Sequence, residues 1–193
     1  MSLLRSESVE VVADIRSLPR SNRNPQFDQD QLELLLREAG LRYLYLGNEL
    51  GGRPQELRFY RSDGRADYRS YRRSAAFQQG IAQLLWWLQR HRVAMMCAEE
   101  DPLVCHRFLM NGAELTNLGI RPLHIRKGGT IEKQQDVEER LLIEVGFGDL
   151  VKGALFQETP DRAAALEEAY DIQAARCAFR LEPSQMSAWE FGS

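Results

Sequence analysis

Short apolar runs alternate along the chain with polar, turn-like stretches. Runs of four or five residues are typical of buried strands, and those of this chain predict strands at residues 9–13, 43–46, 93–96 and 122–125. Apolar residues at helical spacing predict helices over residues 28–40, 75–89, 104–118, 132–145 and 161–176. In the first of these helices, Leu32, Leu35, Leu36 and Ala39 share the face expected to be buried.

The alternation of strand and helix predicts an α/β fold with a mainly parallel sheet. A chain of 193 residues is of ordinary length for one domain. We therefore expect a single domain over residues 1–193, with a C-terminal helical segment at about residues 131–180.

Composition narrows the class of protein without naming a function. Hydrophobic residues make up 44% of the chain and charged residues 27%, which is typical of globular proteins. The apolar runs are far shorter than a membrane span, and no signal peptide is evident. The three cysteines cannot all pair, so we expect reduced thiols, a cytoplasmic protein and no membrane partner. The net charge of −3 gives no general reason to expect nucleic-acid binding.

Unusual polar motifs follow three of the predicted strands. Because ligands of parallel α/β sheets bind beyond the carboxyl ends of the strands, we expect these motifs to form one concave site. The three segments are Asp14-Ile15-Arg16-Ser17 with the loop that continues to Pro25, Leu50-Gly51-Gly52-Arg53, and the stretch from Cys97 to Arg107.

The third segment holds the candidates for chemistry, which are Cys97, Glu99, Cys105 and His106. A thiol at the start of a helix, flanked by His and Arg, is expected to ionise readily and to act as a nucleophile. Glu99 is a candidate acid or base. Arg107 is expected either to orient the ligand or to form an ion pair with Asp14 or Glu99.

The first two segments hold the candidates for binding an anion. An arginine in a loop stiffened by proline is suited to binding phosphate or carboxylate. Paired glycines either let the backbone approach a ligand closely or form a tight turn with positive φ. The expected binding residues are Asp14, Arg16, Arg23, Gly51, Gly52, Arg53 and Arg107. The competing interpretation is that these arginines pair with nearby acids.

Other sites are less well supported. Cys105 and His106 are adjacent, and no Cys-x2-Cys pair is present, so we expect no metal centre and no cofactor. A disulfide between Cys97 and Cys105 is a third alternative. Three tyrosines lie among arginines at residues 58–73, an arrangement that binds nucleic acid in some proteins, although a mobile surface loop is the favoured interpretation.

The motifs resemble those of the DUF488 family of bacterial and archaeal proteins. The resemblance rests on Asp14-Ile15-Arg16-Ser17 and the residues up to Phe27, on Leu50-Gly51-Gly52-Arg53, on residues 96–107 and on His124-Ile125, and it extends over about residues 3–180. It implies a Rossmann-like, three-layer fold but carries no agreed activity. Members usually begin with a strand ending in Thr-Ile-Gly-His-Ser, whereas this chain begins inside the following helix, so the resemblance implies that this first strand is missing.

These observations lead to one functional hypothesis and one alternative. The hypothesis is a protein that binds an anionic, nucleotide-like or phosphorylated ligand at the carboxyl edge of the sheet, with catalysis by Cys, Glu and His left open. The alternative is a non-catalytic module that binds nucleic acid or a nucleotide at the same edge.

Overall fold

The computed structural model describes residues 1–21, 24–153, 160–182 and 184–185. The strands are β1 (Val11–Asp14), β2 (Arg42–Tyr45), β3 (Val93–Met96), β4 (Leu123–Ile125) and β5 (Ile131–Lys133). The α-helices are α1 (Ser2–Ser6), α2 (Gln29–Glu38), α3 (Gly47–Leu50), α4 (Tyr68–Arg72), α5 (Ala75–Leu88), α6 (Ala113–Asn117), α7 (Gln134–Glu144), α8 (Asp149–Gly153) and α9 (Pro160–Cys177).

Backbone contacts group the chain into two compact units. The first consists of Met1–Gln55 and Arg73–Ala98, and the second consists of Glu56–Arg72 and Glu99–Ser193. The single domain expected from the chain length stays a prediction.

The first unit is built on a parallel sheet in the order β2-β1-β3. All four residues of β1 are buried, because helices flank the sheet and the central strand has a partner on each side. On one face, Val12 packs in a core with Leu32 and Leu36 of α2. The α/β, Rossmann-like fold class predicted from the sequence is confirmed.

The helices of the first unit follow the predicted spacing with one exception. Phe77, Ile81 and Leu84 form the buried face of α5. In α2, only Leu32 and Leu36 are buried, whereas Leu35 is 44% exposed. The prediction that Leu35 lies on the buried face is therefore wrong, because only one position in each turn of this short helix contacts the core.

The second unit differs from the sequence prediction in two places. β4 forms, but it pairs antiparallel with β5 in a separate two-stranded sheet. The continuous helix predicted over residues 104–118 is a 3₁₀ turn (Pro102–Val104), then a π-helix (Arg107–Gly112), then α6. The π-helix leads directly into α6, so one helical segment runs from Arg107 to Asn117, and Cys105 lies just before its N-cap His106, near the helix start as predicted.

The tyrosine- and arginine-rich stretch at residues 58–73 is a structural part of the second unit. Tyr68 and Tyr71 of α4 are buried. Arg72 forms ion pairs with Glu114 at 3.5 Å and with Glu167 of α9 at 3.0 Å. The favoured expectation of a surface loop is therefore wrong over α4, and the stacking surface proposed as its alternative is unavailable at these two rings.

Candidate functional site

The carboxyl ends of the three parallel strands bring two of the predicted motifs, and Cys97 from the start of the third, to one edge of the first unit. Asp14 stands beside Tyr45 of β2 and Met96 of β3. Two further backbone hydrogen bonds continue this pairing, since Ile15 N–H donates to the Met96 carbonyl at 3.0 Å and the Asp14 carbonyl accepts from Leu46 N–H at 2.9 Å. The chain runs from β1 outward to β2 and then to the opposite side at β3, so this edge contains a topological switch point.

The Asp14 carboxylate is fully buried and is held by four hydrogen bonds. Arg16 donates from Nε to Oδ1 at 2.9 Å, from Nη2 to Oδ2 at 2.6 Å and from its backbone N–H to Oδ1 at 3.1 Å. The Tyr43 hydroxyl donates to Oδ2 at 2.8 Å. The hydrogen bonds with Asp14 raise the pKa of Arg16, and burial, followed by the hydrogen bond to Asp14, raises the pKa of Tyr43 well above its usual range.

Asp14 and Arg16 thus neutralise one another at the edge of the sheet. The guanidinium presents its fork to the carboxylate, and the Arg16 side chain is only 10% exposed. In such a bidentate pair, the N–H groups that face the carboxylate are already used in hydrogen bonds to it. Their predicted role as direct ligands of a substrate stays a prediction, and the geometry gives them first a structural role.

The glycines of the second motif serve to pack two loops together. A methyl group at Gly51 would overlap the Gly47 carbonyl oxygen and the Ser17 hydroxyl, and one at Gly47 would overlap the Arg16 carbonyl oxygen. Gly51 has φ −72°, so the tight turn with positive φ considered as one reading is wrong at this position. The absence of side chains allows the loop after β1 and the loop after β2 to come into contact.

Ser17 fastens the two loops at the base of Arg53. Its Oγ accepts a hydrogen bond from the Arg53 backbone N–H at 3.0 Å. Arg53 is an exposed residue, whereas Gly51 and Gly52 beside it are buried. A fixed backbone below an exposed cation is a suitable arrangement for binding an anion.

Two further residues of the predicted site, Cys97 and Arg23, belong to this unit. Cys97 follows β3 directly, is half-buried and is not in a disulfide. Arg23 lies outside the described residues, so its predicted role in binding stays a prediction. Its neighbour in the loop, Arg20, is exposed.

In the second unit the chemistry-bearing residues form a compact group around Cys105. The Cys105 Sγ donates to Oε2 of Glu99 at 3.1 Å and accepts from the Arg107 backbone N–H at 3.4 Å. The His106 Nδ1 lies 4.0 Å from the same sulfur. Cys105 is fully buried and is not in a disulfide. Its predicted role as a nucleophile stays a prediction.

The Arg107 side chain holds the backbone that carries Glu99. Its Nη1 donates to the Glu99 carbonyl at 2.6 Å, and its Nη2 donates to the Glu100 carbonyl at 2.7 Å. The Arg107 guanidinium therefore contacts the peptide oxygens of residues 99 and 100. Arg107 stabilises the loop, and its predicted role as a ligand of the substrate stays a prediction.

Glu99 and Cys105 also supply a carboxylate oxygen and a sulfur, which are two of the donor types that zinc accepts. Zinc sites hold three or four protein ligands. The expectation that no metal is bound stays a prediction.

Sequence reasoning missed two side chains that organise the sheet edge, Tyr43 and Ser17. The apolar pattern predicts a strand at Tyr43 but no role for its hydroxyl. The hydroxyl of a buried tyrosine needs a hydrogen-bond partner, and this need is the one signal in the sequence that points to the contact with Asp14. No local pattern indicates that Ser17 reaches the backbone of Arg53.

Fold and site together define an α/β protein with a parallel sheet whose carboxyl edge carries a buried ion pair, two interlocked loops and an exposed arginine. The chain belongs to the DUF488 family, described as a domain of unknown function, which matches residues 1–113. No curated protein and no solved structure matches the chain. None of the helices in the described residues is long and apolar enough to cross a membrane.

Proposed function

We propose that the protein binds an anionic, nucleotide-like or phosphorylated ligand at the carboxyl edge of the parallel sheet of its first unit. The observation that carries this proposal is the anchoring of Arg53, whose backbone N–H is fixed by Ser17 at the switch point of the sheet. Rigid positioning favours binding, because the loop loses little further conformational freedom when the ligand arrives.

Arg53 is the cation that this proposal depends on most. Arg16 is engaged by Asp14, and the pair is neutral as a unit. Arginine binds phosphate or carboxylate through two parallel N–H groups, which matches a nucleotide or phosphorylated ligand better than a neutral one. Cys97, which follows β3 at the same edge, is the candidate nucleophile of this unit.

Binding to nucleotides and phosphorylated sugars, measured by isothermal titration, tests the proposal. Arg53→Ala should weaken the binding of an anionic ligand by about 1.5–3 kcal/mol, the range for a charge-assisted hydrogen bond. Arg58→Ala is the matched control, since Arg58 is also an exposed arginine and pairs with Glu56. Equal affinities of wild type and Arg53→Ala would contradict the proposed site.

A second candidate function is thiol-dependent catalysis in the second unit, which the contact between Glu99 and Cys105 favours. In this reaction the Cys105 sulfur forms a bond to an electrophilic atom of the substrate while Glu99 accepts the thiol proton. The bond from that atom to the leaving group breaks, and the proton passes from Glu99 to the leaving group. Water then adds to the same atom, the bond from that atom to sulfur breaks, and a proton of the water passes through Glu99 to the sulfur, which restores the thiol. The alternative of a non-catalytic nucleotide or nucleic-acid module predicts binding without any such turnover.

A further inference from the structure

The loop that carries Glu99 is attached to the β4–β5 hairpin by an arginine that lies outside the motifs. Arg126 pairs with Glu100 through both carboxylate oxygens, with Nε to Oε1 and Nη2 to Oε2 each at 3.0 Å. The Lys127 backbone N–H donates to Glu100 Oε1 at 3.1 Å. The hydrogen bonds from Lys127 and Arg126 hold the pKa of Glu100 below its usual range, so this acid stays charged.

Arg126 itself is held in place by a rigid hairpin. Its backbone N–H donates to the Thr130 carbonyl, and its carbonyl accepts from Gly129 N–H, each at 2.9 Å. Gly128 and Gly129 have φ of +92° and +91°, a conformation that favours glycine and closes the turn. The Arg126 Nη1 also donates to Glu132 of β5 at 2.7 Å. The guanidinium is thus fixed before it contacts the Glu99 loop.

Two arginines therefore hold the loop at Glu99 and at the residue that follows it, Glu100. Arg107 binds the Glu99 and Glu100 carbonyl oxygens, and Arg126 binds the Glu100 side chain. In the loop held in this way, the Glu99 carboxylate accepts a hydrogen bond from the Cys105 sulfur. We propose that Arg126 is a positioning residue, which acts through Glu100 to hold the Glu99 carboxylate against the Cys105 thiol.

This inference rests on the second candidate function, because it concerns the same thiol and carboxylate. Besides Glu99, the charged or titratable groups near the sulfur include His106, the neighbouring Arg107 and Tyr68 of α4. Burial, followed by the proximity of Cys177, Cys105 and Glu99, raises the pKa of Tyr68, so Tyr68 is neutral at ordinary pH. Arg126 does not touch the thiol, and its effect must pass through the loop.

The test is the pH dependence of thiolate ultraviolet absorbance without any substrate, taken as the difference between each protein and the same protein with Cys105→Ser. This difference isolates Cys105 from the other two cysteines. Glu99→Gln removes a negative charge beside the sulfur and should move the midpoint to lower pH by about one unit. Arg126→Lys keeps the charge but loses the two-pronged contact, so the carboxylate should drift away and the midpoint should also move to lower pH.

The direction of this shift separates positioning from a simple charge effect. Arg126→Met removes a positive charge, which by itself would move the midpoint to higher pH, whereas loss of positioning moves it to lower pH. The double variant Glu99→Gln/Arg126→Lys should have the midpoint of Glu99→Gln alone, since the carboxylate that Arg126 positions is then absent.

Arg140→Lys is the matched control. Arg140 shares Glu132 and Asp101 with Arg126 but has no contact with Glu100. Arg140→Lys should lose a similar part of the ion-pair network, and the midpoint pH measured for Cys105 should not change. An unchanged midpoint in Arg126→Lys, or an equal shift in Arg140→Lys, would overturn the inference alone. An unchanged midpoint in Glu99→Gln would overturn both the inference and the thiol–carboxylate chemistry.

Discussion

The hydroxyl of Tyr43 in β2 donates a hydrogen bond of 2.8 Å to the carboxylate of Asp14 at the end of β1. The two side chains belong to neighbouring strands, and Asp14 is fully buried. A buried charge is costly unless its oxygens are satisfied. Tyr43 and Arg16 together make a charged residue stable at the edge of the sheet, where the candidate binding loops begin.

Removing the Tyr43 hydroxyl should destabilise the protein. Tyr43→Phe deletes one hydrogen bond to a carboxylate and should lower the free energy of unfolding by about 1–2 kcal/mol. Urea denaturation monitored by circular dichroism measures this change. Tyr45→Phe is the control, because the Tyr45 hydroxyl makes only a 3.4 Å contact with the Ser17 carbonyl. Equal losses in both variants would contradict a special role for the Asp14 contact.

A side chain at Gly51 should force the two edge loops apart. In Gly51→Ala the new methyl group meets the Gly47 carbonyl oxygen and the Ser17 hydroxyl. Overpacking of this kind costs about 1–3 kcal/mol, and the displaced Arg53 should bind an anionic ligand less well. Thermal unfolding measures the loss of stability, and titration calorimetry measures the loss of ligand affinity.

Gly148→Ala is the control for this prediction. A methyl group at Gly148 would lie 3.7 Å from the Ile143 side chain, which is ordinary van der Waals contact. Its stability and ligand affinity should match those of wild type. A Gly51→Ala protein that unfolds and binds like Gly148→Ala would show that the two loops are not tightly packed.

Stability should depend on pH through the buried His124. Its Nε2 lies 2.9 Å from Oε1 of Gln134, and burial lowers the pKa of His124 to about 4. Because this folded-state pKa is below the usual 6.5, the unfolded chain binds more protons between these values. This residue's contribution to the free energy of unfolding should therefore fall as pH falls from about 6.5 toward 4, by about 3 kcal/mol in all.

Comparison with His124→Gln isolates this contribution. The Gln side chain keeps a donor near Gln134 but does not titrate. Glu138 titrates with the opposite sign, since burial raises its pKa, and it is present in both proteins. Denaturant unfolding at several pH values should give a smaller fall on acidification in His124→Gln. Parallel pH profiles would refute the prediction.

Glu99→Gln separates catalysis from binding. The substitution keeps the shape of the side chain and removes its ability to accept the thiol proton. Turnover should be lost while ligand affinity stays near that of wild type, as measured by a product assay beside calorimetry on the same compounds. Full turnover in Glu99→Gln would exclude Glu99 as the proton acceptor, and binding without turnover in wild type would favour the non-catalytic module.

The sequence predicts those parts of the fold that depend on local pattern. The apolar run at Val93–Met96 matches β3 in full, and the helix predicted from Ala75 begins at that residue because Ser74 caps it through a bond to the Phe77 N–H. The motifs after β1 and β2 reach the same edge as Cys97 at the end of β3, because parallel strands all end there. These relationships follow from spacing and topology.

The parts that could not be predicted depend on contacts distant in sequence. The π-helix at residues 107–112 places Gly112 where a methyl group would lie 2.8 Å from Gln134 Oε1, a residue of α7. Arg126 reaches Glu100 across 26 positions of the chain. Neither contact leaves a periodic signal in the sequence. The π-helix and the role of Arg126 can therefore be recognised only from the structure.

The interlocked glycine loops have a consequence for the rates of ligand binding. Gly47 and Gly51 leave so little space beside Arg16 and Ser17 that the two loops must move as one body. A ligand would then meet an assembled surface at first encounter, without waiting for a loop to close. Under the proposed function, association rates should be similar for related anions, and their affinities should differ through the lifetimes of the complexes.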